Sequence, residues 1–329
     1  MPLTLQWDTS EGKGQKILRF WTALVVARLF AACAAANAQE AADLSSAGSP
    51  EGFTPVTLSG TLEKVRDSGT ITLGYRDSLV PFSFLNARNE PIGYSIELCK
   101  ALVSAIEDSI NMSVSIRWGP VTADNRIDQV VNGQVDLECG STTRSLERQK
   151  RVALSPIIYV SGTKVMMKAG ALIRSFRDLA GKKVAVTAGT TNEIALRDLD
   201  QKFNLGMQLL VVREHKEGFE AVASGKVDAF ATDEALLYGL IAQNAGRRGQ
   251  FQVVGDYLSY EPYEIMFRRD DPLLAQVVKT TFEELAADGE FERQYKRWFI
   301  RKLPSGTSLN LPMSTRLKII IQTMAAKAA

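Results

Sequence analysis

The sequence predicts an α/β protein of two similar lobes, each with a largely parallel sheet covered on both faces, joined by a two-segment hinge. Three observations carry this. Apolar residues alternate between strand spacing and helix spacing along most of the chain, a pattern that buries parallel strands between layers of helix. The stretch 130–136 (VVNGQVD) returns 92 positions later at 222–228 as VASGKVD, in both places a helix end, a glycine and the start of a strand. Two long extended runs, 156–167 and 260–267, stand where the chain would cross to a second lobe and come back.

Residues 1–38 are set apart. Lys13, Lys16 and Arg19 precede an apolar run over 20–36, and Ala36-Asn37-Ala38 closes it. A basic start, an apolar middle and an Ala-x-Ala end are the marks of a secretory signal peptide, so export to the periplasm is expected. Arg28 interrupts the run and argues against an anchor, and Cys33 makes a poor lipoprotein signal. Residues 39–58, rich in Ala, Ser, Gly and Pro, read as a flexible leader.

Lobe 1 opens at 59–158. Leu62, Val65 and Arg66 fall on a short helix that Ser68 and Gly69 end, and 70–75 (TITLGY) is a strand. An irregular loop over 76–84 holds Pro81. A helix over 93–110 buries Ile96, Leu98, Leu102, Val103 and Ile106; 114–118 is a strand and 126–132 a short helix. Val135, Leu137 and Cys139 alternate with polar residues as a strand, Gly140 turns the backbone, and Ser145 caps a helix carrying Arg148.

Lobe 2 occupies 159–258, with a strand at 183–187, a loop at 188–191 and a helix from Asn192. The chain re-enters lobe 1 over 259–304 through helices at 273–288 and 290–299. Residues 305–329 form a tail, with an amphipathic helix at 315–327 packed on the surface.

Charge excludes some partners. The whole chain has 39 basic and 37 acidic residues; without the four cations (Lys13, Lys16, Arg19, Arg28) and two anions (Asp8, Glu11) of the leader, the balance is zero. No clustered positive excess marks a nucleic-acid face. One histidine, two cysteines beyond the leader, and no HExxH, CxxC, Walker or GxGxxG pattern leave catalysis and cofactor binding without parts. Cys99 and Cys139 read as buried small apolar residues, a bridge between them being the alternative.

What remains is a set of polar residues at strand ends. Ser141, Thr142, Thr143 and Arg148 bring hydroxyls, free N–H groups and a guanidinium into one small volume, which suits a carboxylate. Thr190 and Glu193 have the spacing of a capping box, so a helix N-terminus faces the inter-lobe space beside Thr191. Asp233, at the equivalent strand end of lobe 2, suits an ammonium group. Arg76 and Arg126 are loop cations, and His215 lies in a polar loop, 213–218 (REHKEG). Each of these also has an ordinary structural reading as a surface charge or a helix cap.

The run 74–84 (GYRDSLVPFSF) with 93–95 (GYS) resembles the opening of periplasmic amino-acid-binding proteins of ABC transporters. The runs 125–127 (NRI), 138–143 (ECGSTT), 147–150 (ERQK), 189–191 (GTT), 233–237 (DEALL) and 268–272 (RRDDP) resemble the glutamate/aspartate-binding subgroup of solute-binding protein family 3, across about residues 58–312. The resemblance implies a type II periplasmic-binding-protein fold that closes by hinge motion. It gives Arg148, Ser141, Thr143 and Thr191 to an α-carboxylate, Asp233 to the α-ammonium, and Arg76, Arg126 and His215 to a side-chain carboxylate. It also implies a monomer that takes L-glutamate or L-aspartate to the permease subunits of an ABC importer. Ala123 stands where the subgroup usually has Ser, and Tyr75 where His is common. The competing expectation is an enzyme on the same scaffold, similar to cyclohexadienyl dehydratase, with Glu264 as general acid.

Overall fold

The computed structural model describes residues 57–171 and 173–328; the expected signal peptide, Cys33 and nearly all of the leader lie outside the described residues. In lobe 1, helix α1 (Gly60–Ser68) buries Leu62 and Val65 and ends at Gly69, whose φ of 63° needs no Cβ to be accommodated. Strands β2 (Ser78–Leu79), β3 (Ser83–Leu85) and β4 (Pro91–Ile92) form a small antiparallel sheet, and β1 (Thr70–Tyr75) forms a larger one with β5 (Ser115–Pro120), β6 (Leu137–Thr143), β14 (Glu261–Arg268) and β7 (Val152–Leu154), in the order β5-β1-β6-β14-β7. Helix α2 (Tyr94–Ile110) covers one face with Ile96, Leu98, Leu102, Val103 and Ile106. Lobe 2 holds a second sheet, β11 (Gln208–Val212), β10 (Lys183–Thr187), β12 (Ala229–Asp233), β9 (Thr163–Lys168) and β13 (Phe251–Val254), in that order.

The repeated stretch has a physical cause. Gly133 and Gly225 both take positive φ after a helix, and Val135 and Val227 are buried. Asp136 Oδ2 then accepts from the backbone N–H of Thr72, and Asp228 Oδ2 accepts from that of Lys183, each at 2.8 Å. Each aspartate thereby ties the start of its own strand to the start of the neighbouring parallel strand, β1 or β10.

Both sheets are mixed rather than largely parallel. β5, β1 and β6 run parallel, as do β11, β10 and β12, but β14 is antiparallel to β6, and β9 to β12. The reversed strands are those the chain uses to pass between the lobes. The run 156–167 becomes β8 (Tyr159–Ser161) and β9, and β8 lies antiparallel against β14, with Ser161 opposite Glu261. Thr163 and Ser259 hydroxyls meet at 2.6 Å beside them, so the two crossovers are cross-linked neighbours.

Two local expectations are corrected. Gly140 does not turn the chain: β6 runs on to Thr143, which pairs with Tyr263 of β14. Its lack of a side chain serves packing instead, because a Cβ there would lie 2.3 Å from Glu138 Oε1. Cys99 on α2 and Cys139 on β6 are not separate apolar residues but a disulfide, since both side chains enter the same helix–sheet core. The bridge spans 40 residues, a loop for which cross-linking stabilises by about 3–4 kcal/mol. Reductant is therefore expected to lower the urea midpoint clearly, and an unchanged midpoint would show that the bridge carries no stability.

The tail helix (Thr315–Ala328) buries Leu317, Ile321 and Met324 on lobe 1, and Arg316 lies 4.7 Å over the Tyr260 ring. Among the described residues no helix is long and apolar enough to cross a membrane.

Candidate functional site

The ends of the central strands in both sheets face each other across the hinge. From lobe 1, β1 delivers Arg76, β6 delivers Ser141 and Thr143, and a helix start delivers Arg126. Ser145 caps the short helix Leu146–Gln149 by accepting from Arg148 N at 3.2 Å, which fixes where Arg148 leaves the backbone. From lobe 2, Thr190 caps helix Thr191–Phe203. In return Glu193 Oε2 accepts from Gly189 N rather than from Thr190 N, a box displaced by one residue. β12 ends in Asp233.

All eight residues singled out in the sequence, Arg76, Arg126, Ser141, Thr143, Arg148, Thr191, His215 and Asp233, line one cavity between the lobes. Ala123, Thr190, Asn192 and Leu236 complete its wall. The lobes are in contact around it. Arg148 Nη2 donates to Gly189 O across the gap at 3.5 Å, and Arg76 Nη2 to Glu214 Oε2 at 2.5 Å. Gly239 of lobe 2 lies so close to Val80 that a Cβ would meet its carbonyl oxygen at 2.0 Å.

One end of the cavity pairs a cation with acids. Arg148 Nη1 donates to Thr143 O at 2.6 Å. Asp233 accepts from Asn192 Nδ2 at 2.8 Å and from Tyr263 Oη at 2.5 Å. Burial, then the nearby Glu261, pushes the Asp233 carboxyl up to about 7 against the pull of those two bonds and of Arg148. Glu261 itself accepts from Thr191 Oγ1 at 2.5 Å.

The other end is dominated by positive charge. Arg126 Nε donates to Thr142 Oγ1 at 2.9 Å and Nη1 donates to Ala123 O. Burial and the charge of Arg148 lower its affinity for its proton to about 9, with Glu138 opposing. Among the described residues the buried Arg76 Nε and His215 Nδ1 have no hydrogen-bond partner. Burial, then Arg76 and Arg126, holds the His215 imidazole well below its usual range. His215 is thus not a loop residue: it opens helix His215–Ala223 and is 4% exposed. Polar neighbours hid this, because they lie on the solvent side of a helix whose other face holds Phe219 and Val222.

Three acids around the site escaped the sequence reading: Glu138, Glu214 and Glu261. Glu214 and Glu261 meet Arg76 and Thr191 from distant parts of the chain, and Glu138 bonds Thr142 on the strand face opposite Ser141 and Thr143. Asn192 and Thr190 were signalled, since both belong to the cap that presents Thr191. Glu264 is buried, 3.6 Å from Arg144, and burial pushes it up to about 7, but it is not among the residues lining the cavity.

Two α/β lobes closed on a polar cavity at a paired-strand hinge are the architecture of a type II periplasmic-binding-protein fold. Residues 71–301 match the bacterial extracellular solute-binding proteins, family 3, and the chain belongs to that family. The chain is 41% identical over 275 residues to an L-glutamate/L-aspartate-binding protein of Pseudomonas aeruginosa, covering 83% of this chain and 91% of the relative. It is 36% identical to a glutamate/aspartate import solute-binding protein of Salmonella typhimurium, covering 82% and 89%. Among solved structures it is similar to an ancestral arginine-binding protein bound to arginine, with TM-score 0.64, 29% identity, and 70% and 98% coverage. It is also similar to an ancestral amino-acid-binding protein described as a precursor of cyclohexadienyl dehydratase, with TM-score 0.62, 28% identity, and 73% and 99% coverage.

Proposed function

We propose that the protein captures glutamate or aspartate between its lobes and presents it to the permease subunits of an ABC importer outside the cytoplasm. The observation that carries this reading is the charge layout of the cavity: three buried guanidiniums, with Asp233 at one end and unpartnered nitrogens of Arg76 and His215 at the other. A ligand with two carboxylates and one ammonium supplies the missing partners, and buried charges need such partners to offset their desolvation. Arg148, Ser141, Thr143 and Thr191 take the α-carboxylate, Asp233 takes the ammonium, and Arg126, Arg76 and His215 take the side-chain carboxylate. The names of the relatives at 41% and 36% identity support the acidic ligand. Closure follows from differential affinity, since only the closed form offers both half-sites at once. Export by cleavage after Ala38 belongs to the same proposal.

A thermal-shift screen of twenty amino acids on ligand-stripped protein tests it, because a ligand raises the melting temperature by mass action. Glutamate and aspartate are expected to give the large shifts; equal shifts from neutral amino acids would defeat the reading. Arg126→Ala is expected to weaken the acidic ligands by at least about tenfold, as loss of a hydrogen bond to charge does, while sparing neutral ones. Prephenate and arogenate are expected to stay unconsumed. Turnover of either, lost in Glu264→Gln, would favour the dehydratase reading, which the raised, buried Glu264 carboxyl supports.

A further inference from the structure

We propose that Glu138, acting through Thr142, is the positioning residue that orients Arg126 toward the ligand's side chain; this rests on the functional reading above. Glu138 is fully buried on β6, where a carboxylate without a full set of partners is costly. Among the described residues its one hydrogen bond comes from Thr142 Oγ1, at 2.7 Å to Oε2, and Oε1 has none.

The hydroxyl between them has a single proton. Because Thr142 donates it to Glu138, its lone pairs are left to accept from Arg126 Nε at 2.9 Å. Arg126 Nη1 is held by Ala123 O. Contacts at Nε and Nη1, on different sides of the planar guanidinium, fix its plane and leave Nη2 for the cavity. Glu138 thus sets the direction of the Thr142 hydroxyl and supplies negative charge behind Arg126.

Strand alternation explains how one run serves both tasks. Ser141 and Thr143 line the cavity, while Glu138, Gly140 and Thr142 share the opposite face. Gly140 leaves the Glu138 carboxylate its present place, since a Cβ there would lie 2.3 Å from Glu138 Oε1.

Isothermal titration of glutamate into three variants tests this. Thr142→Val keeps the branched shape and removes the hydroxyl; Thr142→Ser keeps the hydroxyl and removes a methyl group. Thr142→Val and Glu138→Gln are expected to raise the glutamate Kd by about tenfold or more, the scale of a hydrogen bond to charge, and Thr142→Ser to restore most of the affinity. A packing role gives the opposite order, with Val tolerated and Ser impaired. Binding by Thr142→Val within about twofold of the wild type, or equal losses in Val and Ser, overturns the inference alone. A wild-type chain that binds neither glutamate nor aspartate overturns the functional reading beneath it as well.

Discussion

Arg148→Ala is expected to remove measurable binding of every amino acid, acidic or neutral. The α-carboxylate is common to all of them, and Arg148 is the guanidinium nearest the strand end that offers Ser141 and Thr143. Its side chain is 8% exposed, and its Nη atoms donate to Thr143 O in one lobe and Gly189 O in the other. Those carbonyls aim the group without neutralising it. Removing one member of a buried charge pair leaves the other desolvated and unpaired, a loss of about 3–5 kcal/mol, or about a hundredfold to several thousandfold in Kd. The variant also loses a contact that spans the closed lobes, so the fraction of closed protein falls too. Arg126→Ala should differ in kind, since the group it faces is present only in acidic ligands. Titration calorimetry on both variants separates the two roles. Glutamate binding by Arg148→Ala within tenfold of the wild type would remove this residue from the site.

Much of this architecture could be read from local patterns because its causes are local. The two Gly-x-Val-Asp stretches were visible since each aspartate ties down a strand start in the same way, at Thr72 and at Lys183. Ser141, Thr143, Arg148, Thr191 and Asp233 stood out because turns and helix caps follow strand ends in sequence as well as in space, whereas Arg76, Arg126 and His215 were singled out by the family resemblance. What escaped depends on contacts between distant segments. Arg76 meets Glu214 across 138 residues, and Asp233 meets Tyr263 only once the second crossover has returned. Cys99 and Cys139 each sit at a buried position of a correctly read element, but spacing says nothing of the separation between a helix and the strand it covers. Gly140 misled for a related reason: glycine in a strand looks like a turn until the carboxylate of Glu138 is seen to need the space.

Ligand affinity is expected to fall with pH below about 7, by up to tenfold per unit, because Asp233 must ionise to hold an ammonium group. In the closed cavity, burial and the neighbouring Glu261 keep the Asp233 carboxyl up at about 7, well above its ordinary 3.8. A bound ammonium favours the carboxylate and draws that value down, so binding below pH 7 releases a proton and weakens as protons become plentiful. Above 7 the group is already ionised and the dependence levels off. The sign for the unliganded fold is the reverse. Between about pH 4 and 7 the folded state retains a proton that the unfolded chain has released, so this group's contribution to stability falls as pH rises through that window. Affinity and ligand-free stability should therefore respond to Asp233 in opposite directions, which no general acid damage to the protein imitates. Calorimetry in two buffers of different ionisation enthalpy measures the released proton directly, and Asp233→Asn should flatten the profile while weakening binding at pH 7.5. A glutamate Kd constant from pH 8 to pH 5, or an unchanged slope in Asp233→Asn, would place the ammonium elsewhere.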